Sequence, residues 1–115
     1  MTESLKVAAA QLSPVFLNKE ETVSKACDAI SEAGKNGARL IVFPEAFISG
    51  YPDWVWLIPN SRGSDLSELY LKLVESAVSI PDGTTEKLCK AAKKAGINVA
   101  IGMHERNSER SNASL

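Results

Sequence analysis

The order of apolar segments along this 115-residue chain limits the folds that it can adopt. A nearly continuous apolar run at residues 5–12 predicts a first strand, and a second run at residues 39–43 predicts another. Apolar residues recur at helical spacing between them, so the pattern predicts strand, helix and strand joined by short links. Such a unit is right-handed and makes its two strands parallel. The unbroken apolar character of the first run is typical of a strand that is buried on both faces.

The predicted first helix has both a start and a stop signal. Asn18 followed by Glu21 predicts an N-cap with an acidic residue in the first turn, and Gly34 with Gly37 predicts the end. Because Cys27 lies within the apolar stripe, we interpret it as a small core residue and not as a nucleophile. The other members of that stripe are Val23, Ala26, Ile30 and Ala33.

Two further helices and a third strand follow. One helix begins near Asp65, and the other is capped by Asp82 or Thr84. Cys89 lies in the apolar stripe of the latter helix, and we interpret it, too, as a core residue. The apolar run at residues 97–103 predicts the third strand. The expected fold class is therefore α/β, with the element order βαβ-α-α-β.

Composition narrows the classes of function. The net charge is -1 and no basic face stands out, so neither nucleic acid nor an anionic membrane surface is an expected partner. No apolar run approaches the ~20 residues of a membrane helix, and the first residues lack a signal-peptide pattern, so we expect a cytoplasmic protein. The two cysteines and the single histidine, His104, show no metal-ligand spacing. We expect no metal and no cofactor.

A carboxylate follows the second strand directly. Glu45 stands after Pro44 and before the apolar residues 46–48, which would partly desolvate it and suit it to proton transfer near neutral pH. In a parallel sheet this position lies at the carboxyl edge, where ligands bind. The alternative is an acidic residue that extends into water or caps a helix. His104 and Glu105 follow the third strand and could face the same cleft, although a single histidine there is more often a hydrogen-bonded loop residue.

Both tryptophans of the chain lie close together after a Gly-Tyr-Pro turn. Trp54 and Trp56 stand in a segment with few polar residues. In such a loop they could wall a pocket or cover a partner surface. They could equally form a roof over the core. Tyr51 and Trp54 are the candidate substrate-binding residues.

These motifs match a known family. Residues 40–52 have the sequence Leu-Ile-Val-Phe-Pro-Glu-Ala-Phe-Ile-Ser-Gly-Tyr-Pro, and the first strand ends in Ala-Gln-Leu at residues 10–12. Together they closely resemble the N-terminal part of the nitrilase (carbon–nitrogen hydrolase) superfamily. The extension Gly-Tyr-Pro-x-Trp-Val-Trp at residues 50–56 narrows the resemblance to the nitrilase branch. Ile-Gly-Met-His-Glu-Arg at residues 101–106, followed by Asn-Ala-Ser-Leu at residues 112–115, resembles the equivalent strand and turn. The resemblance implies a four-layer α-β-β-α sandwich, with residues 1–115 as an incomplete N-terminal segment of a single domain.

The resemblance also implies a Glu-Lys-Cys catalytic set. Glu45 matches the general base, which would activate a cysteine thiol for attack on a nitrile carbon through a thioimidate and then a thioester. The lysine and the cysteine have no counterparts within these 115 residues, so we expect this chain alone to be inactive. The expected partners are a small-molecule nitrile and either the remainder of the same polypeptide or further copies in a homo-oligomer.

Three alternatives compete with this hypothesis. One is a non-catalytic interaction or oligomerisation module that pairs through its uncovered sheet face and the loop of Trp54 and Trp56. Another is a carbon–nitrogen hydrolase of the amidase branch. A receiver-like signalling domain would need clustered aspartates at the end of the first strand, and residues 11–14 provide none.

Overall fold

A computed structural model describes residues 3–107 of the chain. Three parallel strands form one sheet in which their spatial order follows the chain, with Ile41 between Ala8 and Val99. The α/β class and the strand-helix-strand unit are confirmed. The elements are β1 (Val7–Ala9), α1 (Lys19–Lys35), β2 (Leu40–Val42), α2 (Trp54–Leu57), α3 (Gly63–Glu75), α4 (Gly83–Ala95) and β3 (Asn98–Ala100), with a 3-10 turn at Asn60–Arg62. The short helix α2 was not predicted.

The strands are shorter than the apolar runs that predicted them. Each has three residues, and the ladder continues for one more hydrogen bond on either side of β2. The amide of Ala10 donates to the carbonyl of Val42 at 2.8 Å, and the amide of Phe43 donates to that of Ala100 at 2.8 Å. Pairing ends there because Pro44 has no amide hydrogen to donate.

Helix α1 begins as its sequence predicts. The side chain of Asn18 accepts a hydrogen bond from the amide of Glu21 at 3.0 Å. The predicted end is only partly correct: the helix stops at Lys35, and Gly37 adopts a φ of +85° beyond it. Gly34 lies inside the helix, where an added Cβ would stand 2.8 Å from the Cβ of Ala95. Gly34 therefore permits close packing of α1 against α4.

Helix α4 has a complete set of caps. The carboxylate of Asp82 accepts from the amides of Thr84 and Thr85 at 2.9 and 3.1 Å, and the Thr85 hydroxyl accepts from the amide of Asp82 at 3.1 Å. Asp82, and not Thr84, is therefore the N-cap. Gly96 ends the helix with a φ of +70°. Helix α3 starts two residues before the predicted Asp65, because the 3-10 turn leads directly into it.

Only one face of the sheet is covered. The core joins Ile41 to the apolar stripe of α1 and to Leu88 of α4, and Ala8 and Val99 pack against it. On the opposite face Val7 and Val42 are 56% and 44% exposed. The prediction that the first strand is buried on both faces is therefore wrong for residues 3–107, because both packed helices lie on the same side. This second face, which includes Val7 and Val42, is called the open face below.

The helices of the described part are short or polar by membrane standards. Across residues 3–107, no helix combines the length and the apolar character that a bilayer crossing requires.

Candidate functional site

The residues that follow β2 form a turn anchored in the core. Phe43 and Phe47 are buried, and their ring centroids lie 5.1 Å apart. Ile48 is fully buried, and Ala46 between them adopts a φ of +51°. A left-handed residue that is not glycine costs about 1–2 kcal/mol, so packing of the neighbouring aromatic and aliphatic side chains must hold it. Residues 44–50 are called the Glu45 turn below.

The structure places Glu45 at the carboxyl edge of the sheet, as predicted, but not in an apolar environment. Its side chain is exposed, as is that of Pro44. The expected desolvation is therefore wrong for the described chain. The reason is directional: Ala46, Phe47 and Ile48 are buried in the core, while the two residues before them stand outside it.

The Glu45 turn runs beside the chain that continues from β3. The amide of Ile48 donates to the carbonyl of Gly102 at 3.1 Å, and the amide of His104 donates to the carbonyl of Ile48 at 2.9 Å. Ile48 and Met103 form an isolated parallel bridge. The ends of β2 and β3 therefore meet at one edge, as the sequence predicts for parallel strands.

The imidazole of His104 is a hydrogen-bonding group in this arrangement. Its Nε2 lies 3.0 Å from the carbonyl oxygen of Gly50, and the residue is half-buried. Since a carbonyl can only accept, Nε2 must carry the proton. The backbone carbonyl of His104 accepts from the amide of Val78 at 2.8 Å. The interpretation of His104 as a hydrogen-bonded loop residue agrees with these contacts, and the neighbouring Glu105 is exposed.

Gly102 is a residue of this site that the sequence analysis did not single out. A Cβ at this position would stand 2.5 Å from the amide nitrogen of Ala46 and 2.9 Å from the carbonyl oxygen of Pro44. It would also lie 3.0 Å from the carbonyl carbon of Glu45. The available signal was a glycine inside an apolar strand run, which often marks close approach of another backbone.

The tryptophans have different environments. Trp54 is buried, with 7% of its surface exposed, and within residues 3–107 its indole N–H has no hydrogen-bond acceptor. Trp56 is 72% exposed and lies 5.9 Å from the ring of Tyr51, which is 47% exposed. Trp54 is therefore shielded from solvent, whereas Trp56 faces outward.

The cysteines also differ. Cys27 is half-buried between α1 and α4, and burial, with Asp28 nearby, raises the pKa of its thiol against the opposing effect of Lys87. Cys89 is exposed, so its interpretation as a core residue is wrong. It borders an apolar groove of about 270 Å³ along β3, because no described element packs on that side of α4. Among residues 3–107, no group of three or more His, Cys, Asp or Glu side chains could hold a metal ion.

Comparison with known proteins decides the family. A family model described as carbon-nitrogen hydrolase matches residues 6–115. The chain belongs to the carbon–nitrogen hydrolase family. In this member of the family, the exposed carboxylate of Glu45 lies on a turn that is hydrogen-bonded to the continuation of β3.

Curated proteins that are similar to this chain bear nitrilase names. An arylacetonitrilase of Macrophomina phaseolina (strain MS6) is 40% identical over 111 residues, which cover 96% of this chain and 31% of the relative. A nitrilase of Bacillus sp. (strain OxB-1) is 44% identical over 86 residues, or 75% of this chain and 24% of the relative. An aliphatic nitrilase of Rhodococcus rhodochrous is 34% identical over 106 residues, or 92% and 28%. The chain thus spans less than a third of these relatives, and the predicted resemblance to the N-terminal portion of nitrilases is confirmed.

Proposed function

We propose that this chain supplies the general base of a nitrilase-type hydrolase, which converts a nitrile to a carboxylic acid and ammonia. The observation that carries the proposal is the position of Glu45 at the carboxyl edge of a parallel sheet, in a chain whose family and named relatives act on carbon–nitrogen bonds. Ligands of open α/β sheets bind at this edge. The anchored Glu45 turn would hold the carboxylate in a fixed place there.

In the proposed reaction, Glu45 accepts the proton of a cysteine thiol that lies outside residues 1–115. The thiolate attacks the nitrile carbon and gives a thioimidate. One water adds and ammonia leaves, which yields a thioester, and a second water releases the carboxylic acid and restores the thiol. A lysine, also outside this chain, would stabilise the negative charge that develops on the nitrile nitrogen.

Neither cysteine of this chain suits the nucleophilic role. Cys27 lies between two helices with its thiol 3.8 Å from the carbonyl of Lys87, and the raised pKa disfavours its thiolate. Cys89 is on α4, beside the groove along β3. We therefore propose that residues 1–115 form one segment of a single hydrolase domain and that the segment alone is inactive.

The proposed remainder of that domain would cover what the segment leaves exposed. The open face is apolar at Val7 and Val42, and a second sheet packed on it would complete the four-layer α-β-β-α sandwich. The same remainder would exclude water from Glu45 and so provide the desolvation that the segment lacks. A homo-oligomer and a cytoplasmic location stay predictions from the sequence.

Substrate contacts are proposed for the segment that follows the Glu45 turn. Tyr51 offers an exposed aromatic surface beside Trp56, and Trp54 offers a buried N–H that lacks an acceptor within residues 3–107. Aromatic walls with a few polar groups are typical of small-molecule sites. The identity of the nitrile then depends on residues that this chain does not contain.

The test uses the polypeptide that carries this segment together with the rest of its hydrolase domain. Glu45→Gln removes the base and keeps the shape of the side chain, and we expect ammonia release from aliphatic, aromatic and arylacetonitrile substrates to fall at least about 100-fold. Glu32→Gln, at an exposed site on α1, is the matched control and should retain activity. Near-normal turnover by Glu45→Gln would remove this residue from the mechanism.

A non-catalytic interaction module remains a second candidate, because one observation favours it. Three consecutive apolar residues of α2, Val55, Trp56 and Leu57, are 50%, 72% and 77% exposed. If copies of the chain associate through these residues, the apparent particle size should increase with protein concentration. Gel filtration of the wild type and of Trp56→Ser over a hundredfold concentration range distinguishes the interaction module from the hydrolase segment. The module is supported if the wild type associates, Trp56→Ser does not, and the complete polypeptide hydrolyses no nitrile.

A further inference from the structure

We propose that Gly102 and His104 are positioning residues that fix the Glu45 turn against the continuation of β3. The inference rests on the proposed function, because it assigns to these two residues the placement of the general base. Neither is proposed to touch substrate. Their role follows from the contacts that each makes with the backbone on either side of Glu45.

Gly102 sets the distance between the two backbones. The three atoms that a Cβ would meet belong to the main chain of Pro44, Glu45 and Ala46, at 2.5 to 3.0 Å. Main-chain atoms cannot rotate aside as the end of a flexible side chain can, so an alanine here must displace the Glu45 turn. Ordinary contact would require a displacement of about 1 Å, and a misplacement of this size at a catalytic group costs about 100-fold in rate.

His104 holds the other end of the same turn. The backbone amide of His104 donates a hydrogen bond to the carbonyl of Ile48, and its Nε2–H donates to the carbonyl of Gly50. The amide of Gly50 in turn donates to the carbonyl of Ala46 at 3.0 Å. The imidazole therefore closes a chain of hydrogen bonds that returns to the residue next to Glu45. Because its Nε2 proton is used in this bond, we assign His104 a positioning role and not proton transfer.

This closure matters because the turn is held in an unfavourable backbone conformation. Ala46 has a φ of +51°, which is costly for a residue with a Cβ. Gly50 adopts its φ of +114° without such a cost, and an added Cβ there would stand 3.1 Å from the ring of Phe16. A turn with these constraints needs contacts at both ends to keep one conformation. Gly102 supplies the fit at one end and His104 the bond at the other.

The experiment is a double-mutant cycle in the complete polypeptide. We expect Gly102→Ala to lower kcat about 100-fold with little change in KM, because the base is moved and the substrate contacts are not. Gly63→Ala is the matched control, since Gly63 has a φ of -60° and an added Cβ would meet no atom within 4 Å beyond its chain neighbours and the nearby backbone of its own helix. His104→Leu should lower kcat about 10-fold, and His104→Gln, which keeps an N–H donor, should restore it to within about threefold.

The cycle separates placement of the base from a general structural effect. If Gly102 acts through Glu45, adding Gly102→Ala to Glu45→Gln should cause no further loss of kcat. Amide hydrogen exchange in residues 44–50 should be faster in His104→Leu than in His104→Gln. Both variants should have thermal unfolding midpoints above the assay temperature.

Two results would overturn the inference while leaving Glu45 as the base: full kcat in Gly102→Ala, or losses that multiply in the double variant. Equal kcat in His104→Gln and His104→Leu would reject the assignment of His104. Full activity of Glu45→Gln is a different outcome, because it rejects the proposed function and with it any base to be positioned.

Discussion

Two neighbouring residues of β2 provide the sharpest test of a sheet with one covered face. Ile41 is 2% exposed and lies in the core, while Val42 is 44% exposed on the open face. Both are truncated to alanine. Ile41→Ala leaves a cavity among packed side chains and should lower the free energy of unfolding by about 2–5 kcal/mol. Val42→Ala removes two methyl groups worth about 0.8 kcal/mol each when buried, and about half of that sum, near 1 kcal/mol, is expected at this exposure.

The assay is urea unfolding of the chain itself, followed by far-ultraviolet circular dichroism. Even a complete domain of this size has a stability of only about 5–15 kcal/mol, so the loss from Ile41→Ala in this segment should shift the midpoint clearly or prevent folding. Each variant is measured at several protein concentrations. Concentration matters because two copies that meet through the open face would cover Val42 and raise the cost of its truncation.

Equal losses for the two variants, at every concentration, would refute the reasoning. That result would mean that Val42 is as well packed as Ile41 in a single copy of the chain, which contradicts an open face. In the complete polypeptide, by contrast, the proposed second sheet covers Val42, and the cost of Val42→Ala should rise to about 2–4 kcal/mol. The increase in the cost of Val42→Ala from the segment to the complete polypeptide measures how well the proposed second sheet covers Val42.

Two further predictions concern the helices. Asp82→Ala should cost about 1–2 kcal/mol of unfolding free energy, because the amides of Thr84, Thr85 and Ser79 lose their acceptor. Asp82→Asn should retain most of the stability, and urea unfolding midpoints compare the two variants. Cys27 should react with a maleimide more slowly than Cys89 in single-thiol variants followed by mass spectrometry, since its thiol is half-buried and its pKa is raised above the usual 9.0. Equal reaction rates of the two thiols would contradict the burial of Cys27. The raised pKa also means that the contribution of this thiol to the free energy of unfolding is present below pH 9 and declines above it, because the thiol of the unfolded chain loses its proton first.

The N-caps of α1 and α4 could be predicted from the sequence because their signals are local. Asn18 and Asp82 bond amides two or three residues away, so the residues that make each cap are visible in a short window. Gly96 likewise acts through its own φ of +70°. The parallel sheet also followed from the order of segments. Within residues 3–107, the 3-10 turn at Asn60–Arg62 and helix α2 were not predicted. The four residues of α2, Trp54–Leu57, are too few to show a helical period.

The faces of the strands could not be predicted in the same way. An apolar run shows that a strand can be buried, but whether it is buried depends on what packs against each side. β1 was expected to be covered twice and is covered once, and Cys89 was expected inside and is outside, because no described element packs over the open face or the groove along β3. Glu45 is exposed because it stands outside the core that buries residues 46–48, which its apolar neighbours in sequence do not reveal. Gly102 was missed because its partners, residues 44–46, are more than fifty positions away in sequence.

The open face and the exposed carboxylate point to one requirement. Glu45 follows β2 by three residues, and Val42 is the last residue of that strand, so a layer that packs over Val42 at the carboxyl edge would also exclude water from the Glu45 turn. If the proposed function is correct, the presence of the rest of the domain should therefore have two effects together. It should increase the loss of unfolding free energy caused by Val42→Ala, and it should produce the activity that depends on Glu45. The contacts of Gly102 and His104 exist already in this segment. The segment would thus hold the base in position, while the apolar environment that makes it effective comes from the remainder.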